Sequence, residues 1–449
     1  MAILDLGLSI TLNRELAKST SENKSVKDLR DLTFSLECIY WSIGLAVSLL
    51  IVLLSGFVAN HWVKAEHLPL PVVKQSVMLM GVVVAFQWPI TLYNGGLIGL
   101  NKQVLNNIII VIMSTLRAAG VLFILHFFSA TLQSFFLWQA GLSFLFVFVL
   151  RWALWKEMPG RNILPQFSKK QLRLVWRFAA GMTGITLVTF FLMQVDKIII
   201  SKILPLTEFG YYMLAFNIST VVGLIVAPLS TTFFPRFANL IAKKKEDELK
   251  NTYNQACKIM SSFVFPVCFV LIFFMPEILQ LWTHNITTTQ QVSLIAQILV
   301  AGSLCNALMV IPYHLMLAFG QTRFTIYQNA IASILLVPML FLLANQYGAV
   351  GAACVWLILN ASYILISIPL IHRMYMKGEL SRWYWNNTLL PMLPSLTTIF
   401  ILNFFWNNFF PGSKMNWGIL AFISLLTFVV SITSIIKPKL VIRALFNLK

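Results

Sequence analysis

Residues 178–250 read FAAGMTGITLVTFFLMQVDKIIISKILPLTEFGYYMLAFNISTVVGLIVAPLSTTFFPRFANLIAKKKEDELK, and this stretch decides the fold. It opens with about 18 apolar or small residues, Phe178 to Val195, the length at which one α-helix crosses a bilayer core. Asp196 and Lys197 close that run, and a short connection, Ser201 to Phe209, follows. A second apolar run, Tyr211 to Phe234, returns across the membrane with Pro228 near its end. Pro235 and Arg236 follow, then a charged run from Lys243 to Glu248. The pattern predicts a membrane hairpin with a nearly neutral turn on one side and a dense charge cluster on the other.

The rest of the chain repeats this grammar. Of 449 residues, 58% are hydrophobic and 11% charged, with a mean hydropathy of +0.80. A soluble domain carries about 25% charged residues, so this chain cannot cover itself with a polar surface and belongs in lipid. Apolar runs stand at Leu36–Ala59, Gln75–Leu100, Asn107–Phe128, Gln133–Trp155, Phe178–Leu204, Tyr211–Phe234, Ile259–Leu281, Val292–Leu317, Ile326–Ala344, Gly348–Ile371, Trp383–Trp406 and Trp417–Ile436. They are continuously apolar rather than alternating, and about twice the length of a barrel strand. The expected fold is therefore an all-α polytopic membrane protein with about twelve complete transmembrane helices, preceded by a short N-terminal stub. Most of the 33 Lys and Arg residues fall in alternate loops, the densest being the segment from Lys156 to Arg177, the run at Lys243–Lys245, and the tail after Lys437. The positive-inside rule places those loops and the C-terminus in the cytoplasm, and those containing Lys64 and His284 outside. The same rule explains most of the +18 net charge as topology and attraction to anionic membrane lipids. Nucleic acid is not an expected partner, because no soluble domain gathers the basic residues into one patch.

No catalytic chemistry is legible. Cys38, Cys257, Cys268, Cys305 and Cys354 lie singly in apolar runs, and the six histidines are dispersed. There is no CxxC, HExxH, GxSxG or P-loop, so no enzyme activity, metal or cofactor is expected.

Several motifs carry a family resemblance. Asp196-Lys197-Ile198-Ile199 ends one span, Glu208-Phe209-Gly210-Tyr211-Tyr212 makes the turn, and Pro228-Leu229-Ser230 precedes Phe234-Pro235-Arg236-Phe237. Glu277 to Trp282 follows a later span, and Tyr347 to Ala353, with Trp356, opens another. Together they resemble the bacterial polysaccharide (O-antigen-type) flippases of the multidrug/oligosaccharidyl-lipid/polysaccharide exporter superfamily, over nearly the whole chain. The resemblance implies a bacterial inner-membrane flippase. Such a protein would carry a polyprenyl-pyrophosphate-linked oligosaccharide to the outer leaflet by alternating access, with the polysaccharide polymerase machinery as a further partner.

The chain also repeats internally. Arg14 and Arg236, Leu29 and Leu249, and Trp138 and Trp356 all stand about 220 residues apart with six spans between, giving two parallel-related bundles around a central cavity. The expected division is an N-terminal bundle at 1–155, a basic cytoplasmic linker at 156–177, a six-helix bundle at 178–371, an extra helix pair at 383–436 and a basic tail at 437–449. Set against the second copy, the first lacks one helix and most of another. The expectation is thus a stub, Met1–Lys18, lying beside Leu36–Ala59 in an incomplete bundle, and a chain that does not complement a flippase deletion.

Arg117 is the sharpest candidate for substrate binding, since it sits mid-run in residues 106–128. An arginine at the bilayer centre costs about 2.5–3.5 kcal/mol on insertion scales, so it needs a partner or a wet cavity. Two readings stand: a guanidinium that meets the pyrophosphate of a lipid-linked sugar, or an interhelical bond. Gln194 and Asn217, on the two spans of the hairpin, are candidate sugar contacts. Asp196 and Lys197 are candidates for a gate or an ion-coupling pair. As neighbours on a helix they do not face each other and are expected to have different partners. Two other readings compete with the flippase. A drug or cation antiporter of the same superfamily would want carboxylates within its spans, and only Asp196, Glu277 and Glu37 come near. A truncated, non-transporting membrane scaffold is the other.

Overall fold

The structure, a computed structural model, describes residues 8–18, 25–63, 68–173, 175–176, 194–320, 323–409 and 415–435. The first part of the expected span Phe178–Leu204, the loop residue Lys64 and the tail at 437–449 lie outside the described residues. Every regular element among the described residues is helical. Nine helices among them are long and apolar enough to cross a membrane, and Trp417–Thr433 is a shorter apolar one. The chain divides into two compact units, residues 1–195 and 196–449.

The first unit contains α1 (Leu8–Lys18), α2 (Val26–Phe57, prolonged by a π-helical turn Val58–Trp62), α3 (Leu70–Gln87), α4 (Ile90–Gly99), α5 (Gln103–Phe127) and α6 (Leu132–Glu157). A Trp88-Pro89 break separates α3 from α4 within one apolar run, as expected where proline removes a ladder donor. The core gathers Leu12 and Leu16 of α1, Leu36 and Tyr40 of α2, Leu92 and Leu97 of α4, and Val147, Leu150 and Leu154 of α6. The outer sides of α2 and α5 carry Leu49, Leu53, Val104, Val111 and Leu122, all exposed. With hydrocarbon as the surrounding solvent, apolar residues belong on both sides of such a helix, and its inner face is marked by small or polar residues instead.

The stub shows this. The expectation set α1 beside Leu36–Ala59, but it packs chiefly on α4, with a lesser contact on α2. The reason is a small-residue face. A Cβ on Gly95 would come within 2.7 Å of the Ser9 carbonyl oxygen, and one on Gly99 within 2.6 Å of that of Asn13. Only glycine lets the two backbones approach so closely.

The second unit contains α7 (194–203, all but its first two residues), α8 (Leu206–Ser219), α9 (Val221–Ala242), α10 (Glu246–Phe273), α11 (Met275–Thr283), α12 (Ile286–Ala318), α13 (Arg323–Ser362) and α14 (Ile368–Tyr375). It ends with α15 (Leu380–Arg382), which runs through a π-helical stretch, Trp383–Leu389, into α16 (Leu390–Phe409), and with α17 (Trp417–Ile435). α12 is the centre of this unit and packs on α8, α9, α10 and α13. α13 is really two helices, as the separate runs at Ile326–Ala344 and Gly348–Ile371 predict. Gly348, at φ 58° and ψ −139°, breaks it in a conformation open to glycine. The extra pair α16–α17 belongs to this unit. Ser395 donates to Ser431 at 2.9 Å, and Ser431 donates to the Ser262 carbonyl of α10 at 3.0 Å. Asn254 of α10 donates to Glu379 at 2.8 Å and accepts from the Asn387 amide. Buried in protein and surrounded by lipid, such polar side chains hold helices together.

Candidate functional site

Arg117 lies on the inner side of α5, in line with the buried Asn106, Ile109 and Met113. Its guanidinium donates to the Ser143 hydroxyl of α6 at 3.3 Å, and the Gln87 amide of α3 donates to the same hydroxyl at 3.1 Å. The Trp138 indole donates to the Arg117 carbonyl at 3.4 Å, its ring filling the space left by Gly120. The Arg117 Nε is buried and has no partner. Among the described residues no carboxylate neutralises this cation. The result is a positive charge between three helices, held by neutral groups and with hydrogen-bonding capacity to spare. Both sequence readings remain: it bonds across helices, and it keeps a donor for an anion.

Asp196 and Lys197 differ from the expectation. The Lys197 ammonium folds back to donate to both Asp196 oxygens at 3.1 Å and lies 4.1 Å from the centre of the Phe216 ring. The long lysine stem reaches its neighbour despite the helical offset, because a pair that is 14% and 18% exposed has little water to turn to. The buried Tyr212 lies close to the same carboxylate. Asn217, one residue after Phe216, is exposed on α8. Gln194 is half-buried at the start of α7, at the end of the first unit. Arg117 and Gln194 therefore belong to the first unit, and Asp196, Lys197 and Asn217 to the second.

One polar centre escaped the sequence reading. Glu37 of α2 is buried, and three side chains from two other helices converge on it. Arg151 of α6 pairs with Oε1 through its Nε. Tyr93 of α4 donates to the same oxygen at 3.0 Å, and Trp155 of α6 donates to Oε2 at 2.9 Å. Trp41 of α2 in turn donates to the Tyr93 hydroxyl at 3.1 Å. Arg151 looks like one more loop cation from sequence, and Glu37 sits just inside an apolar run. The available signal was a carboxylate and a guanidinium each within reach of the same end of its span. Beside this centre, Arg30 stacks 5.0 Å from the centre of the Trp155 ring and donates to the Pro159 and Ile163 carbonyls at 3.1 and 2.8 Å. Asp31 accepts from the Gln166 amide and Ser35 from that of Ser168, both at 2.8 Å. The segment after α6 is thus tied to α2 rather than free.

The arrangement defines a class: a multi-pass, all-helical membrane protein of two units, with polar centres between helices and, among the described residues, no cluster that could hold a metal ion. The comparisons give the family. The family described as polysaccharide biosynthesis protein matches residues 18–284, more than half of the chain, and the chain belongs to it. It is 24% identical, over 239 residues, to a candidate O-antigen transporter of Shigella flexneri; the match takes in 53% of this chain and spans 56% of that relative's length. Among solved structures, the lipid II flippase MurJ in an inward closed conformation shares the fold. The TM-score is 0.70 at 15% identity, with 98% of this chain and 92% of that one covered. These relatives are transporters and flippases rather than enzymes.

Proposed function

We propose that the protein is a flippase that moves a lipid-linked oligosaccharide across the bacterial inner membrane for surface polysaccharide synthesis. Polyprenyl pyrophosphate is the carrier lipid, and alternating access between the two units is the mechanism. The observation that carries this reading is Arg117: a cation at mid-membrane without a counter-charge among the described residues, in a chain of the polysaccharide biosynthesis family, 98% of which follows the fold of a flippase. A guanidinium matches phosphate oxygens in a way that a neutral polar group does not. Gln194 and Asn217 are proposed sugar contacts, and the Asp196–Lys197 pair a gate or coupling site. The antiporter reading has less support, because of its three candidate carboxylates Glu37 and Asp196 each already hold a cation of the protein's own, which leaves Glu277, whose Oε2 is buried without a partner, to carry it alone.

The test is polymer export in a flippase-deleted strain: export restored by this chain would overturn the expectation of a non-complementing chain and set the baseline for its variants. Arg117→Ala should abolish export while the protein remains in the membrane at its normal level. Arg117→Lys should restore part of it, keeping the charge without the planar fork. Normal export by Arg117→Ala would make the residue an interhelical tie and remove the main support for this reading.

A further inference from the structure

The end of α6 carries a feature that the transport reading does not use. An open depression of about 560 Å³ is lined by Phe148, Arg151, Trp152, Trp155, Lys156 and Arg161. Three of these six are cations and three are aromatic, and none is a carboxylate. The acidic groups beside the lining residues are already engaged: Glu37 is buried under Arg151, and Glu157 pairs with Lys102 at 2.9 Å.

Each part of the site is held in place. Arg151 is anchored through Nε, which leaves its two terminal nitrogens to a side chain that is 42% exposed. The Lys156 ammonium lies 4.6 Å from the centre of the Trp152 ring. Arg161 donates twice to the Lys156 carbonyl, at 3.0 and 2.7 Å, and the segment that bears it is tied down by Arg30, Asp31 and Ser35. From the depression, an exposed apolar strip runs back along α6 through Trp152, Phe148, Leu145 and Phe144 to Leu137. Trp152 to Phe144 spans about 12 Å of helix, close to the ~15 Å depth of one leaflet.

We infer that this is a binding site for an anionic phospholipid. The cations take the phosphate oxygens of the headgroup, and Trp152, Phe148 and the strip beyond them take an acyl chain. Guanidinium and ammonium groups at a membrane border attract anionic headgroups, and exposed tryptophan marks that border. A lipid-linked oligosaccharide has the same phosphate chemistry but also needs partners for its sugars. The lining has no amide or hydroxyl side chain to offer them. The inference does not depend on the transport reading.

Native mass spectrometry of the intact chain in detergent tests it, with phosphatidylglycerol, phosphatidylcholine and polyprenyl pyrophosphate supplied in turn. The protein should retain phosphatidylglycerol at least about tenfold more tightly than phosphatidylcholine, and Lys156→Gln/Arg161→Gln should lose about tenfold of that, as the removal of two interfacial cations implies. Lys156→Gln alone should carry part of the loss. It leaves the Glu37–Arg151 pair and the Arg161 bonds to the carbonyl intact, so it guards against a variant that fails to fold. Equal retention of the two phospholipids, or equal retention of phosphatidylglycerol by wild type and variants, would overturn the inference. So would a variant-sensitive preference for polyprenyl pyrophosphate, which would assign the site to the carrier lipid instead.

Discussion

Glu37 shows how one residue governs its surroundings in this protein. Its carboxylate accepts from Arg151, Tyr93 and Trp155, so three buried or half-buried donors depend on one side chain. Removing one member of a buried ion pair typically costs about 3–5 kcal/mol, because the other is left with an uncompensated charge or an unmet bond. Arg151 is 42% exposed and can recover some hydration, which puts the expected loss for Glu37→Ala at the lower end of that range. The double variant Glu37→Ala/Arg151→Ala should recover a large part of it, since both charges go together. Thermal unfolding of the purified protein, as a double-mutant cycle, measures this coupling directly. A thermal midpoint for Glu37→Ala equal to wild type would mean that the centre contributes nothing. Arg117 stands in contrast. Its charge meets only neutral groups, so its removal should leave the fold intact and be felt in transport.

Among the elements, α1 has the least sequence to recommend it, being short and only weakly apolar, and yet Leu12 and Leu16 are fully buried. It owes its place to Gly95 and Gly99, which let it lie against α4 at backbone distance. Gly99→Leu should therefore displace α1 without breaking α4, for leucine is a better helix former than glycine. A cysteine at position 12, in a background free of other cysteines, should resist a maleimide in the parent protein and react with it in Gly99→Leu. Unchanged protection would show that α1 is held by other contacts. Gly348 plays a different part: its positive φ marks the break between two helices, and a Cβ there would stand 3.0 Å from the Glu208 carboxylate. Gly348→Ala should cost about 1–3 kcal/mol, the usual range for a strained backbone position.

On the scale of the whole molecule, the charge asymmetry of the loops sets the expected orientation. Cysteines at positions 170 and 244 should be shielded from an impermeant reagent in intact cells, while cysteines at positions 64 and 284 should react, because basic loops remain in the cytoplasm. Labelling at position 244 but not at 284 would invert the assignment. The proposed lipid site belongs to the same picture, since it sits at the end of α6 from which the basic segment at 156–177 departs, the side that the charge pattern assigns to the cytoplasm.

The sequence alone determined the membrane class and the family. Both follow from long apolar runs, charge between runs and local motifs such as Phe234-Pro235-Arg236-Phe237, and these are properties of contiguous residues; of the twelve expected spans, nine helices among the described residues are long and apolar enough to cross a membrane. The break at Gly348 was legible for the same reason. Partners across helices were not. Glu37 and Arg151 are separated by four spans' worth of chain, and their pairing depends on how α2 and α6 lie against each other. The Asp196–Lys197 pair went unread because helical geometry sets where side chains start, while the length of the lysine stem and the scarcity of water set where they end. Arg117 was visible as a charge in an apolar run, but Ser143, Gln87 and Trp138 become its neighbours only once three helices have packed. Hydropathy is additive along the chain and can be read from it. The pairing of polar groups depends on packing in three dimensions, and tertiary structure alone decides it.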